Sequence, residues 1–147
     1  MGSRPKLVDF HAHFLTPEVM RESAPRWLLS GFGTRPFQPP QEGSPRARQT
    51  AAMLDPALQL AEMDSRGVDV HVVSAATAVQ GTDWAEPERQ AELERTNNDT
   101  AARWVEHAPD RFVGTMTLPL RDVALALAEL ERAVDELGLH AVNLPAQ

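Results

Sequence analysis

Four strand-like apolar runs punctuate this chain, and segments with helical spacing stand between them. The runs are LVDFHAHF (residues 7–14), VDVHVVSA (68–75), RFVGTMT (111–117) and LHAVNL (139–144). Regular alternation of strand and helix leaves few folds open. Parallel strands need long crossover connections, and those crossovers are right-handed and usually helical. The order therefore predicts an α/β fold with about four parallel strands and helices packed on them. At 147 residues the chain suffices for one domain with a core, whereas a complete (β/α)8 barrel takes about 250 residues and closes on its first strand. The expectation is a single partial barrel domain over residues 1–147, with chain enough for half of a (β/α)8 barrel.

Local chemistry marks the helices. Thr16, Pro17 and Glu18 read as a helix start with a capping hydroxyl, and Pro25 keeps that helix short. Residues 30–50 are dense in Gly, Pro, Ser and Arg and read as one long irregular loop. Asp55 and Pro56 open a helix that runs to Arg66, with Gly67 at its end in the left-handed position. A further helix is expected from Pro87 to about Ala108. The last has Val123, Leu127, Leu130, Val134 and Leu137 at helical spacing, and its acidic stretch ELERAVDE reads as a solvated face. Asn97 and Asn98 lie in a helix and read as a structural amide network with Asp99.

The first strand carries the unusual chemistry. Side chains repeat every second residue, so Leu7, Asp9, His11 and His13 share one face, and Val8, Phe10, Ala12 and Phe14 the other. Two imidazoles at a strand's carboxyl end can converge on one metal ion. Asp9 is expected to sit lower and orient its neighbours. The chain has no cysteine, so a metal would be held by imidazole and carboxylate. His71 and His140, inside later strands, read as packed histidines. A net charge of −7 argues against nucleic acid or an anionic membrane as partner. No stretch approaches the roughly 18 to 20 apolar residues of a membrane span, and a cytoplasmic location is the default expectation.

Taken in order, VDFHAHF, DPALQLAEMDSRGVDVHVVSA, DWAEPERQAELERTNND, APDRFVGTMTLPL and ALAELERAVDELGLHAV resemble the N-terminal half of the amidohydrolase-related group. That group contains aminocarboxymuconate semialdehyde decarboxylase and similar aromatic-acid decarboxylases. The resemblance implies a metal-binding TIM barrel, with His11 and His13 as two ligands for zinc or another divalent metal. The group's later ligands fall beyond Gln147. It also implies a small-molecule carboxylate substrate, carbon–carbon cleavage with release of carbon dioxide, and an arginine, Arg46 or Arg48, meeting the substrate. Trp84 falls in a strand-to-helix loop, where such barrels gather their active sites; its alternative role is a loop anchor.

Two rivals accompany this reading. One is a metal-dependent hydrolase or lactonase with the same metal chemistry. The other is a non-catalytic half-barrel that forms a homodimer or pairs with a complementing C-terminal half, driven by its open sheet edges.

Overall fold

The computed structural model describes residues 6–26 and 39–144. In chain order the elements are β1 (Val8–Phe14), α1 (Pro17–Ser23) with a 3-10 turn over Ala24–Arg26, α2 (Pro45–Leu54), α3 (Pro56–Arg66), β2 (Val70–Ala75), a short α4 (Thr77–Gln80), α5 (Pro87–His107), β3 (Phe112–Met116), α6 (Val123–Asp135) and β4 (Ala141–Val142). The strands pair in parallel in the order β1-β2-β3-β4. Sequential order with crossovers of one hand sends the connecting helices to the same side, which is how a (β/α)8 barrel begins.

That covered side holds the core. Ala12, Phe14, Val73, Ala75, Phe112 and Met116 point from the sheet against Met63 of α3, Ala101 and Trp104 of α5 and Ala133 of α6. Trp104 meets Phe112 edge-on at 5.2 Å between ring centroids and Phe14 at 6.0 Å. Gly114 lets α5 approach β3, because a Cβ there would lie 2.8 Å from Leu139 and 3.1 Å from Val105. Among the described residues the opposite side of the sheet is open: Val8 pairs with Val70 and Val72 with Val113, and Val8 and Val113 are exposed.

The helix signals act as expected at α3, where the Asp55 carboxylate accepts from the Ala57 and Leu58 N–H groups and Gly67 closes the helix at φ 68°. At α1 the helix starts at Pro17 with Glu18 in its first turn, as expected, but the Thr16 hydroxyl makes no capping bond. Residues 30–38 of the expected loop lie outside the described residues. Its last part, Pro45–Thr50, is helical rather than irregular: Ser44 caps the Ala47 N–H, and Pro45 supplies a preset first turn to α2.

Polar side chains terminate two strands. The Gln80 amide oxygen accepts from the Thr16 N–H at 2.7 Å while its nitrogen donates to the Phe14 carbonyl at 3.3 Å, just past β1. Beyond β3, the Asn98 amide accepts from the Thr117 N–H at 2.8 Å and donates to the Thr117 carbonyl at 3.0 Å. Asn98 also donates to Glu129 at 2.7 Å, and Glu129 in turn receives Arg132. Glu129 is therefore buried, against the expectation that this acidic stretch is only a solvated face. Nearby, Glu94 receives the Thr82 and Thr117 hydroxyls and the Asn97 amide. Burial holds its carboxyl above the usual range, opposed by those hydrogen bonds.

Candidate metal centre

The two imidazoles of β1 do converge. The His11 and His13 rings lie 4.9 Å apart between centroids, at 75° to each other. His13 pairs with Ser74 across the β1–β2 ladder, and its Nδ1 sits 2.9 Å from the Ser74 hydroxyl and 3.4 Å from the Ser74 carbonyl. The Ser74 hydroxyl donates to the Ala12 carbonyl, so its oxygen is left to accept the Nδ1 proton. The lone pair of the ring then stands on Nε2, the tautomer a metal needs. Burial and the neighbouring His11 push the His13 pKa below its ordinary value, which keeps the ring neutral.

Strict alternation misplaces Asp9. Val8 pairs with Val70 and Asp9 with His71, but Ala12 pairs with Val73. Between these pairs β1 holds two residues, Phe10 and His11, where β2 holds only Val72. This is a β-bulge, and it reverses the phase of the strand. Asp9 therefore shares the side of His71, Ala12 and Phe14, while His13 lies on the open side with Ser74. Phe10, expected beside Ala12 and Phe14, is 79% exposed. The expected orienting role of Asp9 has a direct counterpart: its Oδ1 accepts from the His11 backbone N–H at 2.8 Å.

A cavity of about 430 Å³ opens beside the pair, lined in part by Asp9, His11, His13, Arg48, Gln59 and His71. Helix α2 reaches it because the Leu15 N–H donates to the Met53 carbonyl at 2.7 Å, drawing the helix against the end of β1. Arg48 on α2 thus joins the histidines, whereas Arg46 does not line the cavity. Trp84 lies elsewhere. Its indole N–H donates to the Gly81 carbonyl and the Ser23 hydroxyl, Arg26 stacks over its ring at 4.0 Å, and it packs beside Val19, Ala85 and Leu93. These contacts tie it to its own loop and to α1, away from the cavity beside the histidines.

His71 is buried, as a packed strand histidine should be, but it also lines this cavity. The Gln59 amide nitrogen lies 3.0 Å from its Nδ1, and its Nε2 faces the Asp9 carboxylate at 3.8 Å. Burial lowers its pKa, with the Asp9 charge opposing. No local pattern links residues 9, 59 and 71; the β1–β2 register sets Asp9 beside His71, and α3 brings Gln59 to the same ring. Among the described residues no group of three or more His, Cys, Asp or Glu side chains could hold a metal. Two imidazoles, one with its tautomer set, fit part of a divalent-cation site.

Comparison with known proteins follows the same line. The amidohydrolase family model matches residues 8–147. The chain is 32% identical over 90 residues to 2-amino-3-carboxymuconate-6-semialdehyde decarboxylase of Dictyostelium discoideum, covering 61% of this chain and 25% of that protein. It is 34% identical over 132 residues to gamma-resorcylate decarboxylase of Polaromonas sp., covering 89% and 36%. A crystal structure of dihydroxybenzoic acid decarboxylase from Polaromonas sp., with bound manganese and the inhibitor 2-nitroresorcinol, superposes with a TM-score of 0.69 at 32% identity. That match covers 93% of this chain and 37% of the other. The chain thus spans about a quarter to a third of the length of these curated relatives.

Proposed function

The chain belongs to the amidohydrolase family, and from that premise we propose that it is the amino-terminal part of a divalent-metal-dependent carboxy-lyase acting on a small carboxylated aromatic or muconate-like compound. The observation that carries this reading is the convergent pair His11 and His13, with the His13 Nε2 left bare by the bond from Nδ1 to Ser74. A cation held there supplies Lewis acidity and lowers the pKa of bound water. Arg48, on the same cavity, presents a planar fork that pairs with a carboxylate through two parallel hydrogen bonds. In the overall reaction the bond from a ring carbon to its carboxylate breaks. Carbon dioxide leaves, and the electron pair left on carbon takes up a proton.

The metal is a divalent cation. Manganese is bound in the Polaromonas structure, and competitive titration of Mn²⁺ against Zn²⁺ decides which this chain prefers. Equilibrium dialysis of the wild type, His11→Ala and His13→Ala tests the site. We expect each variant to lose at least about 10-fold in affinity, the scale on which even outer-sphere changes act. Affinity unchanged in both variants refutes the site. Carbon dioxide release from carboxyl-labelled gamma-resorcylate by the complete barrel then tests the reaction.

A second reading draws on the exposed valines of the open sheet face, Val8 and Val113. In it the half-barrel is completed by another copy or by a separate second half. Sedimentation of the isolated chain as a clean monomer rules out the first of these.

A further inference from the structure

The bulge in β1 divides the strand into two phases, and one carboxylate spans the division. Asp9 belongs to the phase that faces the helices, by its pairing with His71. His13 belongs to the phase that faces the open side, and His11 stands against it. In a regular strand all three would point the same way. The Asp9 Oδ1 accepts the His11 N–H at 2.8 Å, which closes a two-residue turn across the bulge. Its Oδ2 faces the His71 Nε2 at 3.8 Å. The Gln59 amide nitrogen donates to the His71 Nδ1 at 3.0 Å, which leaves the ring proton on Nε2, directed at Asp9. Three residues from β1, β2 and α3 thus lie in line behind the backbone of His11.

We propose that Asp9 is a positioning residue for the His11–His13 pair: its carboxylate locks the bulge that turns both rings to one side, and His71, oriented by Gln59, holds that carboxylate in place. The inference rests on the reading of the pair as metal ligands. Bulges re-aim side chains next to functional sites, and here the re-aiming depends on one hydrogen bond with a braced acceptor. Asparagine at position 9 keeps a carbonyl oxygen for the His11 N–H, whereas alanine keeps none.

The test combines NMR of the metal-free chain with manganese affinity. In the wild type, we expect a scalar coupling through the hydrogen bond from the His11 amide nitrogen to the Asp9 carboxyl carbon, and a nuclear Overhauser contact between the two rings. Asp9→Ala should lose the ring contact and bind Mn²⁺ about 10- to 100-fold more weakly. Asp9→Asn should restore both, and Gln59→Leu should weaken both by less than Asp9→Ala does. An unaltered ring contact and affinity in Asp9→Ala overturns the proposal, as does a missing coupling in the wild type, which needs no variant to fold. A wild type that binds no manganese defeats the metal reading, while the ring contacts of the metal-free proteins still decide the role of Asp9.

Discussion

The two sides of one sheet carry different burdens. On the helix-covered side, Phe14, Phe112 and Met116 are at most 1% exposed and pack against Trp104. On the open side, Val8 and Val113 meet solvent and His13 faces out beside Ser74. Apolar area removed from water stabilises a fold by about 25 cal/mol per Å², so nearly all of that stabilisation accrues on the first side. The second side is thereby freed to carry groups that meet solvent. The two rings thus sit where packing asks little of them.

Mutation breaks or sharpens this contrast. The largest effect is expected at Trp104→Ala, which empties the contact with Phe14 and Phe112; such truncations cost about 3–5 kcal/mol, read as a lowered midpoint in urea. A smaller and pH-dependent effect is expected at Glu94, buried on the covered side. Its folded pKa lies above the unfolded value because of burial. The native chain therefore holds a proton that the unfolded chain has lost, and stability falls as pH rises from the ordinary carboxyl range through the folded pKa. Glu94→Gln should remove that slope. Parallel stability profiles for the two proteins between pH 4 and 8 would contradict this. The smallest effect is expected at Val113→Thr on the open face, within about 0.5 kcal/mol, as for surface positions generally. A loss comparable to that at Trp104 would mean that the open face is covered in solution.

Much of this was legible in the residues. Asp55, Pro56 and Gly67 bound α3 through backbone chemistry that acts locally, and the alternation of strands and helices determined the sheet. The resemblance carried by VDFHAHF and the later blocks agrees with the family match. The bulge was not legible, because LVDFHAHF reads as the same alternation with or without an extra residue; phase is decided by the neighbouring strand. Helix α2 was masked by the Pro, Gly and Arg around it, and Ala52 is its only buried residue, so it shows no apolar stripe. The short α4 was missed for a related reason, being a single turn. In α6, Val123 and Leu127 fall at the expected spacing yet are 74% and 54% exposed. Periodicity reports which residues share a face, not whether anything covers it. Glu129 was misjudged because its partners Asn98 and Arg132 include one from another helix.

The amides of Gln80 and Asn98 each meet a donor and an acceptor of the main chain where β1 and β3 end. Each behaves as a surrogate peptide unit, supplied from a helix instead of an adjoining strand. The tips of these two strands are consequently anchored from below. The segments that leave them can change in length and composition without loosening the platform they rise from.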